Sequence, residues 1–304
     1  MIYHYTNYDG LKGILESKRL WLVSSRLMSD ITDRFYGNLF AMLALLKSEN
    51  KDVKFLRDNL EYEDILEVNM QTFEVEFYSA SFCSRFDNDH LWDNYAALNK
   101  GFCIEIDNDC LCNYINTVIE DNLSKIDEAD EITEFDKDIL LPRRVEYGYP
   151  IDFFNKVIED TKKFAMSEDD YNSSNVHKKQ HFKNWLLLSL IIFAGVVKGK
   201  KFDEEEEIRL LFQNRYSDDY IEQSGIYALE KLRMAKAFEL LGIDKEVEGK
   251  NRMELKLSAV FDSNLIPNII VGREFNGDIE ELKKLIKNAG LNNTKLLNRE
   301  CEEL

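Results

Sequence analysis

Four short stretches of this 304-residue sequence carry side chains able to do chemistry. Tyr3-His4-Tyr5-Thr6 reads as extended chain, which sends His4 and Thr6 to one face and Tyr3 and Tyr5 to the other. SASFCS (79–84) alternates Ser79, Ser81 and Cys83 against Ala80, Phe82 and Ser84, so hydroxyls line one side of a strand. Trp92 and Tyr95 stand three apart in a helical pattern, which makes one aromatic surface able to stack on a planar heterocycle. EEEEIR (204–209), read as a strand, projects Glu205, Glu207 and Arg209 to one side with the two carboxylates about 6 to 7 Å apart. Arg209 would then hold Glu207 ionised, a fixed negative charge suited to a developing cation. Each stretch also has an ordinary reading: a histidine bonded to backbone, serines that let a helix approach, a core aromatic pair and a solvated charge run.

The elements that must position these residues can be read from periodicity. A strand over 2–6 runs into a helix with Leu11, Ile14 and Leu15 on one face and Asp9 as its N-cap, then a second strand over 19–24. Helices are expected at 38–47, 52–67, 87–99, 152–165, 176–197, 225–241 and 279–289. Strands are expected at 73–84, 101–107, 144–149, 202–214, 253–261 and 266–272. Residues 120–138 hold nine acids against two lysines and read as an acidic insertion or surface segment. The elements intermix without a regular βαβ rhythm, and no GxGxxG or P-loop is present. The expected fold is a single α+β domain over 1–304, a mixed or antiparallel sheet flanked by helices.

A net charge of −18 argues against unaided, nonspecific binding to nucleic acid, which needs a basic footprint. Five irregularly spaced cysteines read as reduced thiols with no zinc pattern. The longest apolar run, WLLLSLIIFAGVV, is too short for a membrane span, and no signal-peptide pattern opens the sequence. A cytoplasmic protein without membrane contact is expected.

Taken together, six ordered motifs resemble a bacterial family of unknown function, numbered 2971: HYT (4–6), LWLVS (20–24), FCS (82–84), WDNYAALNKGFCIEID (92–107), EEEIR (205–209) and IIVG (269–272). Two places depart from that pattern. SDITD (29–33) keeps only the acids Asp30 and Asp33 of the family turn, and FCS changes the family's CFS order. The order of a histidine strand, a serine strand, an aromatic helix and a late E-x-E strand is also similar to that of the ADP-ribosyltransferases. That resemblance implies an ADP-ribosyltransferase-like fold that consumes NAD as substrate, as a transferase or glycohydrolase, in a toxin or phage-defence effector. It further implies a macromolecular acceptor and a possible antitoxin or regulatory partner. By it Glu207 and Glu205 are the catalytic carboxylates, His4 and Thr6 bind the ribose, and Trp92 or Tyr95 stacks on nicotinamide. Tyr5, Ser84 and Arg209 complete the NAD-binding set. Two other classes stay open: a non-enzymatic nucleotide- or partner-binding effector or sensor, and a metal-dependent nuclease using Asp30, Asp33 and Glu205.

Overall fold

The computed structural model describes residues 1–25, 31–74, 76–123, 142–165, 175–214 and 252–304. The chain opens with β1 (Ile2–Thr6), α1 (Tyr8–Ser17) and β2 (Arg19–Ser24). Asn7, not Asp9, caps α1: its side chain accepts from Gly10 N at 2.8 Å. Lys18 ends the helix in the left-handed region (φ 54°), which turns the chain straight into β2.

A lobe of helices follows, α2 (Ile31–Lys47), α3 (Lys51–Asn59) and α4 (Tyr62–Glu74). The single helix expected over 52–67 is two. Leu60 leaves α3 in an extended conformation, and the Asp64 carboxylate restarts the chain by accepting from Glu61 N at 3.0 Å. Since α4 continues to Glu74, β3 (Glu76–Cys83) begins later than its pattern suggests. After it come α5 (Asp89–Asn94), β4 (Phe102–Ile106), α6 (Asn108–Leu123), β5 (Pro142–Arg144) and β6 (Glu146–Tyr147). Then follow α7 (Ile151–Ala165), α8 (Asn175–Gly195), β7 (Val197–Lys198), a 3-10 turn (Lys200–Glu205) and β8 (Glu207–Asn214). The described chain closes with β9 (Arg252–Lys256), β10 (Asn268–Val271), α9 (Ile279–Asn288) and β11 (Lys295–Leu297). The helix expected at 225–241 and most of the acidic stretch lie outside the described residues.

Nine strands form one mixed sheet in the order β11-β10-β4-β1-β3-β2-β9, with β8 and β5 joined through β3. Among its described pairings, β10 with β11 is the parallel one. One face is the main core: Leu20 and Leu22, Tyr78, Ala80 and Phe82, and Ile208 and Leu210 pack against apolar residues of α1, α6 and α9. Alternation puts Trp21, Val23, Ser79, Ser81, Glu207 and Arg209 on the other face. That face is covered at one end by α5 and the turn after it, where Leu91, Trp92 and Ala96 pack on Tyr5, Cys83 and Cys103. At the other end Ile191 and Ala194 of α8 cover Phe77 and Leu211. Helix α8 belongs also to the core of the helical lobe, where Trp185 and Phe193 meet Leu45, Leu56 and Phe154. Gly37 of α2 lets the two backbones touch, since a Cβ there would overlap Ala194 Cα. On the sheet face between these two covers, among the described residues, the chemistry-bearing side chains gather.

Candidate functional site

A break in the sheet sets the site. Strand β8 pairs with β3 along its whole length. On its other edge β3 meets β2 at Ser79 and Tyr78, and β1 only at Cys83. Between those contacts β1 and β2 diverge, and the His4 ring fills the gap with Nδ1 2.9 Å from the Ser81 carbonyl oxygen. A carbonyl only accepts, so Nδ1 carries the proton and a neutral ring offers Nε2 as an acceptor. Burial lowers the His4 pKa, partly opposed by the Ser81 carbonyl, which favours that neutral form at pH 7.

Beside the gap is a pocket of about 300 Å³, within the range of small-molecule sites. His4, Tyr5, Tyr95, Glu205, Glu207 and Arg209 all line it, as do Trp21, Ser79, Ser81 and Lys198. Residues distant in sequence therefore meet: β1, β2, β3, the end of α5, β7 and the start of β8 each contribute.

The acidic run is not the strand its alternation suggests. Glu204 and Glu205 end the 3-10 turn, Glu206 takes a left-handed conformation (φ 45°), and β8 starts at Glu207. This kink sorts the four acids. Glu206 turns away to Arg85 (2.9 Å) and Ser84 (3.1 Å), while Glu204 lies 3.6 Å from His90. Glu205 and Glu207 converge on Lys198, whose Nζ is 2.7 Å from one and 2.8 Å from the other. Arg209 grips Glu207 with Nε at 2.8 Å and a terminal nitrogen at 3.2 Å, and donates to the Gly195 carbonyl at 3.0 Å. Ser81 Oγ donates to Glu207 at 2.6 Å, and Tyr95 OH donates to Glu205 at 3.2 Å.

Two cations and two carboxylates balance in this buried quartet, the condition under which such charges are tolerated. Burial alone would raise the Glu207 pKa; the Arg209 and Lys198 charges and hydrogen bonds outweigh it and hold the group at about 2. Burial and the Glu205 charge push the Tyr95 hydroxyl up to about 12. Asn88 fixes the arrangement from behind. Its side chain caps α5 through Leu91 N, donates to the Glu204 carbonyl at 2.6 Å, and its own N–H donates to Tyr5 OH.

Three of the expected site residues stand elsewhere. Trp92 is fully buried, donates Nε1 to the Phe86 carbonyl at 2.7 Å and meets Tyr5 edge-on, so it presents no face to a ligand. The common surface with Tyr95 is lost because α5 stops at Asn94, and Ala97, Leu98 and Asn99 take consecutive left-handed conformations. Thr6 packs on Gly10, where a Cβ would overlap its Oγ1, and it does not line the pocket. Ser84 is committed to Glu206 outside the pocket. Tyr5 lines the pocket with its ring, while its hydroxyl donates to the Arg85 carbonyl at 2.9 Å. Lys198 is not among the residues expected from sequence. Its signal is a lone cation closing the apolar run IIFAGVV, a place where a charge must be paired.

Of the residues named for a nuclease, Asp30 and the Asp33 side chain lie outside the described residues. No group of three or more His, Cys, Asp or Glu among the described residues is arranged to hold a metal ion. Among the described residues no helix is long and apolar enough to cross a membrane.

Residues 91–210 match the model of the family described as a protein of unknown function, DUF2971, the family that the motifs resemble. The matched range holds the α5 motif and EEEIR; HYT, LWLVS, FCS and IIVG fall outside it. No curated protein matches the chain, and no solved structure does.

Proposed function

We propose that this protein breaks the bond between nicotinamide and ribose in NAD and passes the ADP-ribosyl group to an acceptor, by an ADP-ribosyltransferase-like site. The observation that carries the reading is the meeting of His4, Ser81 and Glu207 from three separate strands in one pocket, with Glu205 two residues from Glu207. Cleavage of the C1′–N bond leaves its electron pair on nicotinamide and develops an oxocarbenium cation on the ribose. Glu207, ionised at any physiological pH, faces that cation. Rotation of the Ser81 hydroxyl frees one Glu207 lone pair for the ribose 2′-hydroxyl, and neutral His4 accepts from a second ribose hydroxyl through Nε2. Glu205 accepts from Lys198 and Tyr95, which leaves it lone pairs to take the proton of the attacking acceptor. We assign this activity to a toxin or phage-defence effector whose acceptor is a macromolecule.

One observation favours a second reading, a nucleotide-binding module without turnover: Ser81, Lys198 and Arg209 already occupy the Glu207 carboxylate. Incubation with NAD labelled in its adenylate half, with and without cell lysate, separates the possibilities. Free nicotinamide with label on a macromolecule is expected for the transferase, and free ADP-ribose for a glycohydrolase. Intact NAD in both, from folded protein, refutes the activity and leaves the binding module.

A further inference from the structure

We propose that Trp21, Val23 and Ser79 form a second subsite of the pocket, built for a neutral planar heteroaromatic ring with a hydrogen-bonding edge. Purines and pyridine carboxamides share this chemistry. Trp21 lines the pocket with 40% of its surface exposed, whereas Trp92 and Trp185 are fully buried. An indole that lines a pocket wall from a rigid strand with part of its surface exposed offers a planar apolar face for stacking. Val23 pairs directly across from Ser79, so the two side chains sit together on the same face of the sheet.

Ser79 is the second, independent observation. It lines the pocket with only 3% of its surface exposed, yet among the described residues its hydroxyl has no hydrogen-bond partner. Buried hydroxyls are ordinarily bonded, so an orphan beside a ligand-sized cavity marks a place where a ligand supplies the partner. Ser81, the next serine on this face, already donates to Glu207, which leaves Ser79 to read a ring edge. The cations lining the pocket, Lys198 and Arg209, are ion-paired with Glu205 and Glu207, so the shelf suits a neutral ring and not a phosphate. The shelf does not depend on glycosidic cleavage, because a module that binds nucleotides without turnover would use it equally.

Tryptophan fluorescence tests it, since Trp21 is the exposed reporter among the three tryptophans. The full chain is titrated with adenosine, with nicotinamide and, as a ringless control, with ribose 5-phosphate. The expected result is saturable quenching by at least one ring compound and none by ribose 5-phosphate; which ring responds identifies the source. Ser79→Ala should weaken that binding about fivefold, the worth of one hydrogen bond. Trp21→Leu, followed by calorimetry, should weaken it roughly tenfold or more. Trp21 is a surface residue, and unfolding curves establish that both variants are folded. Absence of quenching by either ring, or wild-type affinity in both variants, overturns the proposal.

Discussion

Replacing Glu207 by glutamine keeps shape and removes one charge from a buried, balanced cluster. Among the described residues, Lys198 and Arg209 against Glu205 and Glu207 sum to zero; the Glu207→Gln substitution removes one of the two negative charges that these cations face. The displacement of the Glu207 pKa from 4.5 to about 2 corresponds to about 3 kcal/mol of folded-state stabilisation. Because the folded pKa is depressed, this contribution is complete above the unfolded value of 4.5 and is lost as the pH falls toward 2. At about pH 3 roughly half should be gone. Urea denaturation of wild type and Glu207→Gln from about pH 7 to pH 3 reads the difference, with carboxylates remote from this cluster cancelling between the two proteins. The wild-type advantage should be about 3 kcal/mol at neutral pH and shrink by half at the acid end. An advantage that stays flat across this range would show that Glu207 is not held ionised by Lys198 and Arg209.

Other expectations follow from the same geometry. His4 has a lowered pKa, so the unfolded chain takes up its proton first as the pH drops below 6.5. Wild type should therefore lose stability relative to His4→Phe between about pH 7 and pH 5, and parallel denaturation curves would refute a His4 ring held neutral in the fold. Lys198→Met removes the cation that Glu205 and Glu207 share and should cost roughly 3 to 5 kcal/mol, seen as a lower denaturation midpoint. An unchanged midpoint would mean that the lysine is not bound between the two acids. Asn88→Ala removes the α5 cap and the tie to the Glu204 carbonyl; a loss of about 1 to 3 kcal/mol is expected, and a neutral result would contradict its anchoring role.

Much of the frame was legible. The opening strand, helix and strand follow from Leu11, Ile14 and Leu15 at helical spacing and from the alternation of Leu20 and Leu22 with less buried neighbours. Arg209 and Glu207 pair as their i, i+2 spacing suggests. What stayed hidden lies in left-handed residues that are not glycine. Glu206 converts a presumed strand into a turn, and Ala97, Leu98 and Asn99 cut short a helix whose apolar pattern continues past its end. Neither has a local signature, because tertiary contacts impose the conformation. The same kink put Glu205 and Glu207 on one lysine, a meeting that spacing alone could not reveal. Trp92 and Tyr95 share a helical spacing but not a face, since the residue at the helix end is free to turn toward Glu205.

The most direct measurement is nicotinamide release from NAD by wild type and by Glu207→Gln at neutral pH, each verified as folded, in the presence of lysate as acceptor source. Release by the wild type that falls roughly a hundredfold or more in the variant is what a cation-stabilising carboxylate requires, by about 3 kcal/mol of lost transition-state stabilisation. Equal release by both proteins would contradict the assignment of Glu207, and release by neither would leave a pocket that binds without turning over.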